Sequence, residues 1–220
     1  MTTDIVILAA GQGSRMKSSL PKVLHAVAGK PMVKHVLDQA RHIEKAKLHV
    51  VIGHGAALLE TALANEQLIF SMQKEQLGTG HAVAQALPNV DPEGITLILY
   101  GDVPLTRSET MQQLVDISAK GNLGLLTVHL QNPTGYGRII RNDAGKVIAI
   151  VEQKDASDEQ LKVTEVNTGI MAVPTGLLLE WLPLLSSNNA QGEYYLTDII
   201  AMAAEQGVSI ETQHPACEQE

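Results

Sequence analysis

The chain has 220 residues, 45% hydrophobic and 18% charged, enough to bury roughly 70–75% of its unfolded surface and too apolar for disorder. A formal net charge of −8 without any lysine or arginine run argues against nucleic-acid binding, which needs clustered positive charge. The lone cysteine, Cys217, leaves no internal disulfide or cysteine zinc cluster. With no basic segment before Ile5–Ala10 and no apolar run near the ~18 residues of a membrane span, the cytoplasm is the expected address.

In chain order, Ile5-Val6-Ile7-Leu8 is a continuous apolar run ending in Ala-Ala-Gly, the pattern of a buried strand. A helix is predicted over Pro31–His42, with proline tolerated in its first turn. Leu48–Ile52 is a strand closed by Gly53-His54-Gly55, and Ala56–Ala64 a helix by propensity. Leu68–Phe70 is a short strand, Ala82–Leu87 a helix, and Ile95–Tyr100 the clearest buried strand. Ser108–Lys120 follows as an amphipathic helix and Leu123–Leu130 as a strand. From Asn132 glycines and prolines punctuate the chain, and Arg138–Arg141 and Val147–Val151 flank Asn142-Asp143-Ala144-Gly145, a hairpin signal. Asn167–Val173 reads as strand, Leu177–Leu185 and Leu196–Gln206 as helices. Strands alternating with helices indicate an α/β fold: a mostly parallel sheet with helices on both faces and a β-rich insertion in the second half, expected as one domain over 1–220.

Chemistry concentrates where strands end. Leu8-Ala9-Ala10-Gly11-Gln12-Gly13-Ser14-Arg15-Met16, followed by Pro21-Lys22, runs from a buried strand into a glycine-bearing loop and two cations. Such a loop can bring backbone N–H groups to phosphate oxygens while Arg15 and Lys22 supply charge, though it also suits a plain turn with solvated cations. Met16 stands where a dinucleotide fingerprint needs its third glycine. Tyr100-Gly101-Asp102 ends the central strand; a carboxylate emerging there suits Mg²⁺ or, alternatively, a turn. Gln73 and the Gly78 backbone, in Gln73–Ala82, have the donors and acceptors to match a uracil edge, and Thr79 is the alternative helix cap. All the tyrosines fall in motif-like segments, whereas Phe70 and Trp181 suit the core. The histidines have no zinc-type spacing.

Together the Leu8–Met16 loop with Pro21-Lys22, Gln76–Gly80 and Tyr100–Asp102 resemble the sugar-nucleotide pyrophosphorylases. Pro133–Arg138, Ile150–Glu152, Asn167–Gly169 and Asn188–Asp198 narrow the resemblance. They are similar to the uridylyltransferase domain of the bacterial bifunctional N-acetylglucosamine-1-phosphate uridyltransferase/glucosamine-1-phosphate acetyltransferases, over essentially the whole chain. The resemblance implies a Rossmann-like fold, UTP and N-acetylglucosamine 1-phosphate as substrates, Mg²⁺ as cofactor, and pyrophosphate and UDP-N-acetylglucosamine as products. That sugar nucleotide would serve peptidoglycan and lipopolysaccharide synthesis, with neither nucleic acid nor membrane as partner.

Carried onto matching positions, Leu8, Ala9, Ala10 and Gly11 line the nucleotide site, with Tyr100 and Gly101 beside it. Gln73, Gly78 and Thr79 hold uracil, Asp102 the metal, and Arg15 and Lys22 the phosphates. Gly137, Glu152, Asn167 and Thr197 hold the amino sugar, with Tyr195 adjacent. The family continues into an asparagine metal ligand and a trimerising β-helix acetyltransferase domain, which are expected to be absent from these 220 residues; turnover without that asparagine is expected to be slow. The alternatives are another sugar-1-phosphate nucleotidyltransferase and a weakly catalytic nucleotide-binding fragment or regulator.

Overall fold

The computed structural model describes residues 1–11, 13, 16–217 and 220. Its centre is a nine-stranded sheet. β1 (Thr3–Leu8) lies between β4 (Ala46–Ile52) and β6 (Ile95–Tyr100), parallel to both, and β5 (Ile69–Met72) extends the parallel set beyond β4. On the other side β10 (Glu165–Pro174) runs antiparallel to β6 and to β7 (Leu123–His129), and β11 (Ile210–Gln213) closes that edge parallel to β7. The hairpin of β8 (Arg138–Arg141) and β9 (Val147–Val151) branches from β10.

β1 is buried throughout and apolar from Ile5 to Leu8 because both of its faces are covered. Ile5, Ile7 and Ala9 pack toward α1 (Met32–Ala40), α2 (Ala56–Ala62) and α4 (Ser108–Ser118). Val6, Leu8 and Ala10 point the other way, toward α3 (Thr79–Ala86), α6 (Thr175–Trp181) and α7 (Ile199–Glu205). Trp181 is fully buried in this second layer and donates its indole N–H to Gln206 Oε1 at 2.8 Å.

The mixed sheet and its covered faces agree with the sequence reading, and β8 and β9 have the predicted bounds. Asn142 secures their turn by accepting from the N–H groups of Ala144 (3.1 Å) and Lys146 (3.0 Å). Other expectations need correction. The predicted helix over Pro31–His42 begins after a small hairpin, β2 (Ala26–Val27) with β3 (Lys30–Pro31), whose turn residues Ala28 and Gly29 have φ of +51° and +80°. Ala-Gly is a weak signature for such a turn, and a non-glycine residue rarely adopts positive φ. The third helix starts at Thr79 instead of Ala82. Leu177–Leu185 and Leu196–Gln206 each combine a seven-residue α-helix with a 3₁₀ turn; Pro183, without an N–H, accounts for the first break. β11 and the four-residue helix α5 (Asp158–Leu161) were not foreseen.

The insertion is locked to the sheet by charge. Arg141 grips Glu165 in a fork, Nε to Oε2 at 2.8 Å and Nη2 to Oε1 at 2.7 Å, and the Thr127 hydroxyl donates to Oε1 at 2.8 Å. Burial pushes the Glu165 carboxyl up, but these bonds outweigh it and hold it below the usual glutamate range. A depressed carboxylate stabilises the fold above its unfolded pKa and loses that contribution as pH falls through its folded value. Glu165→Ala is expected to cost about 3 kcal/mol at neutral pH by leaving Arg141 unpaired. Urea denaturation at pH 7 and below pH 4 checks this: the gap between wild type and variant should shrink in acid.

Candidate active site

A cavity of about 310 Å³ opens beyond the carboxyl ends of β1 and β6. Open α/β sheets bind ligands in this region. From β1 and the following loop come Leu8, Ala9, Ala10, Gly11 and Gly13; from the end of β6 come Tyr100 and Asp102; from the segment after β5 come Gln73, Gly78 and Thr79. Lys22 completes the polar wall. Its Nζ lies 2.5 Å from Asp102 Oδ2, with both side chains partly exposed. Gly101 lies directly behind the wall, its N–H donating to Leu8 O at 3.0 Å. Arg15 falls outside the described residues.

The loop bearing Gly78 is held open by backbone geometry. Gly78 has φ +111°, and a Cβ there would lie 2.6 Å from Tyr194 O. Tyr194 bridges this loop, donating its N–H to Leu77 O (2.8 Å) and accepting at its carbonyl from Gly80 (2.9 Å). Thr79 does not cap α3. Its Oγ1 instead accepts from Leu196 N–H at 3.1 Å. The Glu193–Leu196 segment therefore serves as a brace for the loop that walls the cavity, and Glu193 itself lines it.

The remaining expected residues gather beside Tyr100. Glu152 Oε1 accepts from the Thr197 hydroxyl at 3.1 Å, and a Cβ on Gly137 would come within 3.2 Å of that oxygen. Asn167 donates its N–H to Gly137 O at 2.9 Å and accepts from Gly169 N–H at 2.9 Å. Gly169, in a β10 stretch where the register against β7 shifts, leaves room for the Tyr100 ring; a Cβ would stand 2.5 Å from it. Tyr195 lies farther round, its hydroxyl accepting from Gln191 at 2.9 Å and donating to Asp155 at 3.3 Å. Burial, opposed by the Thr197 bond and reinforced by Asp155 and Asp198, pushes the Glu152 carboxyl above its ordinary range. Burial, with the Glu152 and Asp102 charges, likewise raises the Tyr100 phenol. Tyr100, which lines the cavity, is thus acted on by both carboxylates.

Gly13, one of the two glycines of the loop after β1, lines the cavity, but sequence reasoning assigned no site role to Val23, Gln76, Ala82 or Glu193. Gln76 and Glu193 sit inside segments already noted, so their place in those motifs was the available signal. Ala82 likewise lies in the Gln73–Ala82 segment, whereas Val23 carries only apolar surface and had no signal.

The sequence and the fold both recur in known proteins. Residues 5–162 match the family described as the MobA-like NTP transferase domain. The chain belongs to this nucleotidyltransferase family. It is 58% identical over 212 residues to the "Bifunctional protein GlmU" of Burkholderia ambifaria (strain MC40-6), covering 96% of this chain and 47% of that protein. It is 57% identical over 217 residues to the protein of the same name from Saccharophagus degradans, covering 99% of this chain and 48% of the relative. The chain thus spans about half the length of the curated relatives it matches. Among solved structures, a UDP-glucose pyrophosphorylase complexed with UDP-glucose superposes with TM-score 0.77 at 17% identity, covering 94% of this chain and 88% of the other. That likeness concerns the fold.

As a nucleotidyltransferase, this chain handles a nucleoside triphosphate; Gly11, Gly13, Lys22 and Asp102 line the cavity. Two other polar clusters have structural roles. His49 and Asp4 are fully buried and bonded at 2.7 Å inside the sheet. His129, Glu165 and His214 bring potential metal-ligand atoms within 4.8 Å of one another, but both Glu165 oxygens are bound to Arg141, whose charge opposes a second cation. Among the described residues no helix is long and apolar enough to cross a membrane.

Proposed function

We propose that the chain transfers a uridylyl group from UTP to N-acetylglucosamine 1-phosphate, giving UDP-N-acetylglucosamine and pyrophosphate, in the cytoplasm and as one domain. The observation that carries this reading is the cavity walled by Gly11, Lys22, Asp102 and the Gln73–Gly78 loop, with Tyr100 in its lining. The same Tyr100 feels the charge of Glu152, which accepts from Thr197 beside the Gly137 backbone. The similarity to the GlmU proteins supports the same assignment.

The sugar phosphate oxygen attacks the α-phosphorus of UTP in line. A new O–P bond forms as the bond to the β-phosphate bridging oxygen breaks, and pyrophosphate leaves with that electron pair. The nucleophile is already an anion, so positioning and charge neutralisation carry the catalysis. In this reading Lys22 neutralises phosphate charge, joined by Arg15 from the same loop, while the backbone of Ala10–Gly11 lies along the triphosphate. Gln73 and Gly78 hold the base. Glu152 accepts from sugar hydroxyls, and Asn167 and Tyr195 frame the acetamido sugar.

Asp102 fits a hard divalent cation: its carboxylate ends a strand at the cavity wall and already faces a positive group, Lys22 Nζ. Mg²⁺ held there would supply charge neutralisation at the phosphates. Pyrophosphate release measured across nucleoside triphosphates and sugar 1-phosphates tests the reading. UTP with N-acetylglucosamine 1-phosphate should give the highest kcat/KM, and a preference for another pair would overturn the substrate assignment.

Binding and selectivity should divide between Gln73 and Glu152. Glu152→Ala is expected to raise KM for the sugar phosphate roughly tenfold with little change for UTP, and Gln73→Ala to do the reverse, the scale of one buried polar contact. Because the Glu152 carboxyl titrates high, acidification should weaken sugar phosphate binding before the ordinary glutamate range is reached. Steady-state KM values for both substrates decide it.

A further inference from the structure

Gln73 follows β5, is only 3% exposed, and is anchored by its backbone N–H donating to Ile52 O at 2.8 Å. Its side-chain Nε2 lies 3.1 Å from Gly78 O and 3.1 Å from His81 Nδ1. A carbonyl oxygen only accepts, so the amide NH₂ is the end that faces Gly78. That NH₂ has a second hydrogen, which His81 satisfies when its Nδ1 carries a lone pair and its ring proton sits on Nε2. Gly78 O is already shared, since it also accepts from Ala82 N–H at 3.1 Å. His81 is the second anchor.

With both hydrogens engaged, the amide cannot turn, and Oε1 is left as the end able to meet a ligand at the cavity wall that Gln73 lines. An outward-facing acceptor selects among pyrimidines. Uracil presents N3–H, a donor, whereas cytosine presents a bare N3, an acceptor. The first pairs with Oε1 and the second opposes it. If the amide lost its anchor and rotated, its NH₂ would match cytosine instead.

We propose that His81 is a positioning residue for base selection: by accepting from Gln73 Nε2, it fixes Gln73 Oε1 as the acceptor that favours uridine over cytidine nucleotides. The inference rests on the reading that Gln73 meets the base. Nothing in it requires His81 to touch the nucleotide. Its effect should therefore appear in discrimination and nucleotide KM, with a much smaller change in turnover at saturation.

The test compares kcat/KM for UTP and CTP in wild type, His81→Leu, His81→Asn and Gln73→Leu. A ratio within one variant is unaffected by any loss of folded protein. His81→Leu keeps the bulk and removes the acceptor; its UTP/CTP ratio should fall roughly tenfold, the scale of one buried hydrogen with no partner. His81→Asn can again present an acceptor to Nε2, and its ratio should stay within about threefold of wild type. An unchanged ratio in His81→Leu overturns the proposal, as does an equal fall in His81→Leu and His81→Asn. Gln73→Leu separates the two levels. If it loses selectivity while His81→Leu keeps it, the base reading stands and the positioning role falls. If Gln73→Leu keeps full selectivity, the base reading itself falls.

Discussion

Asp102→Ala is expected to reduce Mg²⁺-dependent pyrophosphate release by about 10³-fold while leaving the protein folded, the upper scale for losing one preorganised electrostatic group. Asp102 stands at the carboxyl end of the central parallel strands, where its backbone continues from the buried run Ile95–Tyr100. Its side chain contributes little to that fold. Among the described residues its carboxylate bonds to Lys22 alone, and a quarter of the side chain is exposed. Exposed ion pairs contribute only ~0–1 kcal/mol to stability. A loss of activity with an unchanged thermal midpoint therefore reports on chemistry. Asp102→Asn is the sharper companion, since it keeps the shape and an oxygen but removes the charge, and it should remain strongly impaired. Near-normal turnover in either variant would take Asp102 out of the phosphate-facing site.

The parallel half of the sheet was legible because it is buried on both sides. A strand covered by helices on each face has few polar positions to spare, so β1, β4 and β6 carry apolar runs broken only by a few polar residues such as Asp4, His49 and Thr96. What was misread lies where that constraint is relaxed. β11, at the sheet edge, carries Glu211 and Gln213 in a short, half-exposed stretch, and its apolar signal is too weak to separate it from a loop. The hairpin before α1 depends on Ala28 in a positive-φ conformation, which no local residue preference announces. The 3₁₀ turns beside α6 and α7 keep the burial pattern of the helices they adjoin, so periodicity fused each pair.

The site divides in the same way. Groups sitting at strand ends, such as Gly11, Tyr100 and Asp102, could be placed from the strands that carry them. Their partners could not. The bond from Lys22 to Asp102 spans 80 positions of sequence, and the support of Thr79 by Leu196 spans 117. Spacing contains no trace of either. Glu193 lines the cavity only because the Tyr194 backbone pairs with Leu77 and Gly80, a tertiary contact that its polar, glycine-flanked surroundings do not specify. The role of Gln73 also changes once its surroundings are known. Composition gives it an amide with two donors and an acceptor, and only the positions of Gly78 O and His81 Nδ1 decide which end remains free.

Lys22→Ala carries the second large expectation: kcat/KM should fall roughly 10²–10³-fold. Lys22 opens a short 3₁₀ turn after Pro21, and the chain is shaped to bring it to the cavity. Gly13, with φ +59°, packs so near that a Cβ there would lie 2.8 Å from Lys22 Cβ. Close approach of the loop to this one side chain leaves the ammonium facing Asp102 across the opening where a triphosphate would enter. With no ligand, the two charges neutralise each other. A bound triphosphate would bring several negative oxygens, and the same ammonium, still tethered by its stem, can serve them. A lysine whose only task was to pair with Asp102 would give a different result: its removal would cost little, as exposed pairs do. Lys22→Met keeps most of the stem and removes the charge, so it should lose activity as Lys22→Ala does, with thermal midpoints close to wild type in both. Lys22→Arg retains the charge in a larger, planar group and should recover part of the rate. If Lys22→Met instead matches wild type in kcat/KM, the positive charge facing Asp102 serves only that carboxylate, and phosphate neutralisation belongs to other residues of the loop.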